Sequence, residues 1–310
     1  MGKYILKRIL ILIPTVIAVS FMVFALMALA PNTPADIILG AGAEPEVVAA
    51  LNHEFGYDLP FFQRYWNWLS DLLFHFSFGT SYTTRQPVIN EIIKRTPISM
   101  MLAFLGVGGA TLLGVPMGVL SAVNQNKFSG TLPSVICLIL AAFPSFWIGM
   151  LLMYQFCYKW QLLSPIGVKT MAGYILPACA ITCIYAAQQM RHTRSAMLET
   201  IRQDYVRTAR AKGATEGRAI WRHALGNALL PTITIIGTNF GQLVGGAIVM
   251  ESLFSIPGLG TYVIDSINGR DIPALLAAVT VLATVYCSVL LLVDILYAVV
   301  DPRVKARYTK

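Results

Sequence analysis

QDYVRTARAKGATEGRAIWRHALGNALLP, residues 203–231, decides how the rest of the chain is read. It is basic and rich in helix formers, and its flanks are apolar enough to dissolve in lipid. A polytopic membrane protein needs little more than short turns between its spans. A charged helical loop of this length therefore points to a handle gripped by something in the cytosol.

The composition around the loop agrees. Of 310 residues, 56% are hydrophobic and 12% charged, against about 25% charged in a soluble domain. So little charge over this length marks an integral membrane protein. The net charge of +8 does not indicate nucleic acid, because the bases sit in short segments between apolar spans and form no continuous soluble face.

A bilayer-crossing helix needs about 20 mostly apolar residues. Six segments qualify: 9–30, 99–122, 132–156, 174–188, 228–250 and 273–293. The fourth is short and runs into Gln188 and Gln189, as a helix with a polar extension would. The first follows Lys3, Lys7 and Arg8 and ends in Ala28-Leu29-Ala30, like a signal peptide. Its apolar run exceeds the usual signal core of about 7–15 residues, which favours a retained helix. The expected fold class is all-α, with an N-terminal helix (1–31), an extracytoplasmic segment (32–98) and a five-helix core (99–300) that carries the cytosolic loop 189–227.

Sixteen of the 23 Lys and Arg fall on one side of this layout, eight of them between Arg191 and Arg222. Arg303, Lys305, Arg307 and Lys310 lie on the same side. The positive-inside rule places both termini and the 189–227 loop in the cytosol. In the outer segment, Phe62, Tyr65, Trp66, Leu69, Leu72, Leu73 and Phe76 recur at helical spacing. This is an amphipathic helix, lying either at the outer interface or on the bundle.

Small residues recur every fourth position at Gly106, Ala110, Gly114 and Gly118, and again at Gly237, Gly241 and Gly245. Such stripes let helices approach closely in lipid, as packing or along a path that slides. Hardly any charge lies in the membrane; the exception is Asp294, near the cytosolic end of the last span, so no acid–base relay for an ion-coupled carrier is visible. The phosphate-cradling G-x-x-x-x-G-K-[ST] loop is absent, as are H-E-x-x-H and G-x-S-x-G. His53, His75, His192 and His223 are scattered. Cys179 and Cys183 lie one helical turn apart but no His or carboxylate joins them. No metal site is expected.

Within the loop, 197–211 has neither Gly nor Pro and reads as one helix ended by Gly213. Thr215 is placed to cap a second helix, 216–229, and Pro231 marks the start of the next span. Tyr205, Thr208, Ala209 and Lys212 form a mixed stripe. It suits insertion into a groove on another protein; the plainer alternative is a cap that meets lipid headgroups.

These residues resemble a known family. DYVRTARAKG…WRHALGNALLP is similar to the EAA loop of permease subunits of bacterial ABC importers, in the dipeptide/oligopeptide/nickel branch. The resemblance spans nearly the whole chain. It includes KYILKR (3–8), FGTSY (78–82), PSFW (144–147), ESLFSIPGLG (251–260), NGRD (268–271), VDILY (293–297) and DPR (301–303). The E-A-A-x-x-x-G match is partial: Arg207, Thr208 and Ala209 stand in the first three positions and Gly213 supplies the glycine.

The resemblance implies a type I importer permease fold in the bacterial inner membrane. It also implies a second permease subunit, usually a paralogue, two cytosolic ATPase subunits and an extracytoplasmic binding protein. ATP and Mg would sit on the ATPases, with no cofactor on this chain. Asp204, Tyr205, Thr208, Ala209, Ala211, Lys212 and Gly213 would dock the ATPase. The solute class it implies is di- and oligopeptides, with nickel or a nickel chelate as the alternative and glutathione permitted. A rival outside the family is an ion-coupled secondary carrier.

Overall fold

A computed structural model describes residues 2–40, 42–163, 168 and 170–300. Arg303, Lys305, Arg307, Lys310 and the DPR run at 301–303 lie outside the described residues. Fourteen α-helices and no strand are found among the described residues. Five of the helical stretches are long and apolar enough to cross a membrane, and a sixth span results if one bent pair is counted as a unit.

Helix α1 (Gly2–Ala28) is the first span. Two short helices follow, α2 (Pro34–Leu39) and α3 (Pro45–Glu54), and then α4 (Phe61–His75). The α4 helix packs on the bundle, the second of the two placements expected of it. Along one edge Phe61 and Tyr65 pack on Phe21 and Phe24 of α1, and the Tyr65 hydroxyl shares a 2.8 Å hydrogen bond with Ser20. Along the adjacent edge Phe62 and Trp66 are exposed, where lipid can cover them.

The centre of the fold is the pair α5 (Val88–Val123) and α8 (Ile175–Ile201). The expected small-residue stripe lies in their seam. A Cβ on Gly114 would stand 2.7 Å from the Ala186 carbonyl oxygen, and one on Gly118 would stand 2.7 Å from that of Met190. One on Gly106 would meet Ile181 at 2.5 Å. Only a bare backbone allows this approach.

The expected third span, 132–156, turns out to be broken. It consists of α6 (Phe128–Ala142), α7 (Ser145–Met153) and a π-helical turn at Tyr154–Lys159. The two arms meet at 94°. The corner is Phe143-Pro144, with Phe143 extended (φ −100°, ψ 141°). The residue before a proline avoids the helical region, and the proline ring offers no N–H to continue the ladder. The fourth span does extend in polar form, since α8 continues to Ile201.

Two expectations for the loop are corrected. The single helix over 197–211 breaks at Arg202-Gln203, where Gln203 is extended (φ −70°, ψ 149°), and resumes as α9 (Asp204–Ala211). Propensity favoured continuity there, but packing overrides it. The break swings Val206 into a buried cluster with Val119, Met197, Ile220 and Ala224. The second helix does not stop at 229. It runs from α10 (Glu216–Arg218) through a π-helical turn at Ala219–Ala224 into α11 (Leu225–Gly246), passing through Pro231. Helix α12 (Ile248–Leu253), helix α13 (Leu259–Asn268) and the last span, α14 (Ile272–Val300), complete the chain.

The seam yields a direct test. Gly114→Val forces a side chain into the α8 backbone and should destabilise the fold by about 1–3 kcal/mol, the usual cost of overpacking. Gly108, on the same helix with nothing within 4 Å of its would-be Cβ, should accept Ala without loss. Thermal denaturation of both variants in detergent, read by size-exclusion chromatography, checks the contrast.

Candidate functional site

The handle is built on a fixed bend. Gly213 sits at φ +85°, in the left-handed region where a Cβ is penalised. Around it the Ala214 N–H donates to the Ala209 carbonyl at 3.1 Å and the Gly213 N–H to that of Arg210 at 2.9 Å. This pair of bonds is a Schellman end, which satisfies carbonyls that would otherwise be orphaned. Thr215 then opens α10, its hydroxyl accepting from the Arg218 N–H at 3.4 Å. Across the bend the Arg210 guanidinium grips Glu216 with two bonds, at 2.9 and 2.7 Å. A planar fork on a carboxylate fixes angle as well as distance.

The sequence-derived patch is displayed by this bend. Val206 is fully buried and anchors α9, while Asp204, Tyr205, Thr208, Ala211, Lys212 and Gly213 are exposed and Ala209 is half-buried. Trp221 was not singled out in the sequence. It is about half exposed, on the π-helical turn packed against α9. The signal was visible as a lone tryptophan between basic residues.

The glycines proposed for packing or a pathway divide. Gly106 and Gly114 are in the α5–α8 seam. Gly237 and Gly241 face Val293 and Tyr286 of α14, with a Cβ on Gly241 reaching Tyr286 at 2.9 Å. A Cβ on Gly245 would meet nothing within 4 Å, and the residue borders a cavity of about 510 Å³ with Gln242, Val263 and Leu282. Asp294 is held by Arg8 at 3.1 Å.

A second set of charges was legible only as letters in motifs. Glu251 is 1% exposed. Its carboxylate accepts from the Ser99 hydroxyl at 2.6 Å and from the Thr261 N–H at 3.0 Å. Ser99 in turn accepts from the Leu259 N–H at 2.8 Å. Burial pushes the Glu251 carboxyl above the usual carboxylate range, against the pull of Ser99 and the Gly260 and Thr261 backbone. The glycines of ESLFSIPGLG make room, since a Cβ on Gly258 would overlap the Glu251 carboxylate. Asp271 plays a similar part. It accepts from the Ser81 hydroxyl, from the Tyr82 N–H at 3.1 Å and from the Ala274 N–H at 3.3 Å. FGTSY and NGRD, nearly two hundred residues apart, thus meet at one carboxylate.

Comparison with known proteins fits this anatomy. Residues 114–306 match the binding-protein-dependent transport system inner membrane component, and residues 1–103 match the N-terminal part of such membrane components. The chain belongs to this family of ABC importer permeases. The glutathione transport system permease protein GsiC of Salmonella typhimurium is 36% identical over 305 residues, 98% of this chain and 99% of that protein. Its counterpart in Escherichia coli K12 is 34% identical over the same coverage.

Solved structures show the same fold at lower identity. The inward-facing MetNI methionine ABC transporter aligns with a TM-score of 0.59 at 18% identity, over 69% of this chain and 97% of that one. An amino acid ABC transporter with histidines aligns at 0.52 and 15%, over 69% and 94%. The permease is therefore a multi-pass membrane transport subunit with no enzymatic role of its own. Membership implies a partner permease, ATPase subunits and a binding protein. The ion-coupled carrier reading is set aside.

The Glu251 cluster makes a pH-dependent prediction. Its raised pKa means that protonation favours the closed 254–261 loop. Protection of that loop from proteolysis should weaken as pH rises from the ordinary carboxylate range, about 4.3, through the raised value. Glu251→Gln should remove this dependence and keep the loop closed. Glu251→Ala should leave Ser99 and the Thr261 N–H unpaired, at a cost of about 1–3 kcal/mol.

Proposed function

We propose that this permease translocates small peptides, glutathione-like tripeptides included, handed over by an extracytoplasmic binding protein. The solute reading is supported by GsiC relatives that cover 98% of the chain. The nickel-chelate alternative is the runner-up reading. The handle is the port for ATP-derived motion: α9 lies in the cytosol and seats in a groove on an ATPase subunit. ATP and Mg act on the ATPases, and this chain binds neither. Both termini face the cytosol, in keeping with the distribution of Lys and Arg.

The observation that carries this reading is the arrangement of α9. Val206 is buried against the bundle while Tyr205, Thr208 and Lys212 stand outside. A force applied to the outer face is delivered to the core through the inner one. As ATP draws the ATPases together, each handle follows and tilts its permease between inward-open and outward-open forms. The chemistry stays with the ATPase, and the permease supplies only helix displacement.

Two substitutions test the port. Gly213→Val places a β-branched residue at φ +85°, where it is a steric outlier, and should spoil the bend. Ala209→Glu should clash in the groove. Each is expected to lower binding-protein-stimulated ATPase activity and uptake by about tenfold or more, about 1.4 kcal/mol, at normal membrane expression. Near-normal coupling in both would defeat the assignment. Uptake competition among a dipeptide, glutathione and a nickel chelate, with the cognate binding protein present, decides the solute.

A further inference from the structure

Beneath the 31–98 segment lies a cavity of about 220 Å³, walled by Phe24, Tyr57, Arg64, Trp68 and Tyr82 and by Pro273 at the start of α14. Its wall is unlike the greasy grooves elsewhere on the bundle. Arg64 Nε and Trp68 Nε1 are both buried, and neither has a hydrogen-bond partner. Two buried donors without acceptors are costly, at about 1–3 kcal/mol each, unless something in the cavity accepts from them. The Arg64 guanidinium is held in place by aromatic rings. It lies 3.9 Å over the centre of Tyr57 and 5.6 Å from that of Phe24. No carboxylate pairs with Arg64 among the described residues. The one acid on the wall, Asp71, is on the exposed rim and is paired with His75 at 3.4 Å.

A ring-stacked guanidinium and an indole N–H one helical turn further on line the same cavity, both short of an acceptor, and match one chemical group. We propose that this cavity is a carboxylate-binding site. One oxygen accepts from Arg64 and the other from Trp68, with the Tyr57 and Phe24 rings holding the fork in plane. A fully positive group with no partner excludes an ammonium ligand, and the volume admits a chain terminus or an acidic side chain and little more. Two sources carry that group to this face: the free carboxyl end of a peptide solute, and an Asp or Glu side chain of the docking binding protein. The first source rests on the peptide reading above.

The test uses the assembled complex in lipid nanodiscs, labelled with 5-fluorotryptophan. The chain has five tryptophans, so Trp68→Phe assigns the Trp68 fluorine resonance. N-acetylglycine is titrated as the carboxylate probe and N-acetylglycinamide as its neutral match. The acid should shift the Trp68 resonance saturably and the amide should not. Arg64→Gln should abolish the shift. Arg64→Lys, which keeps charge and bulk but loses the fork, should weaken it about tenfold. If Arg64→Gln fails to assemble, the Lys variant carries the test.

The source is then read with Arg64→Lys. A raised uptake KM confined to peptides with a free carboxyl terminus, sparing their C-terminal amides, assigns the site to the solute. Weaker docking of the binding protein whatever its solute assigns it to the partner. Equal shifts from acid and amide, no shift from either, or unchanged uptake and docking in Arg64→Lys would each overturn the proposal. The titration needs no transport, so a wrong solute assignment leaves it standing.

Discussion

The structure depends on the close approach of α5 and α8. Between helices in lipid there is no hydrophobic gain, because the surrounding chains are as apolar as leucine. Dispersion and backbone proximity must hold the pair instead, and glycine is what permits proximity. Gly106, Gly114 and Gly118 bring α5 within contact of the α8 backbone at Ala186 and Met190. The Thr182 hydroxyl adds a 3.1 Å bond to the Gly106 carbonyl. Helices α6, α7 and α11 pack on α8, while α1 and α13 join the fold chiefly through α14.

About a third of the way along α5, Ser99 binds Glu251 and the Leu259 N–H. At its C-terminal end, Val119 and Ala122 share a buried cluster with Val206, Ile220 and Ala224 of the handle. Between Ser99 and Val119 an α-helix rises about 30 Å. A single rod therefore joins the ESLFSIPGLG loop to the cluster that anchors α9. The α8 helix adds a second connection, since it ends one short break before α9. The two π-helical turns and the corner at Phe143-Pro144 are where the remaining helices yield.

Much of this was legible in the chain, for identifiable reasons. Apolar runs revealed the spans, because composition alone distinguishes lipid from water. Gly213 and Thr215 were readable as a stop and a start because capping is local chemistry. What escaped depended on distance or on packing. The break at Arg202-Gln203 lies among good helix formers, and only the burial of Val206 explains it. The corner at Phe143-Pro144 was hidden in an apolar run, since hydropathy has no direction. Glu251 was visible in its motif, but its partner Ser99 is 152 residues away. The pairing of Arg64 with Trp68 also escaped, because an unfilled hydrogen bond has no sequence pattern.

This division bears on how motion could cross the molecule. Coupling between distant sites needs an element with two arrangements that both sites bias. The α5–α8 seam is too tight to compress, as a Cβ at Gly114 or Gly118 would already collide with backbone. A rearrangement that spares this seam must carry both helices together, and α5 reaches from Ser99 to the buried cluster around Val206. Ser99 holds Glu251 through one hydroxyl that both donates and accepts. The loop that Ser99 touches is held as well by the Thr261 N–H on Glu251. Its Phe254, Ile256 and Leu259 share one buried cluster with Leu102 of α5 and Ile181 of α8. The glycine seam and the Glu251 loop are therefore packed into one body, with the buried carboxylate at their junction.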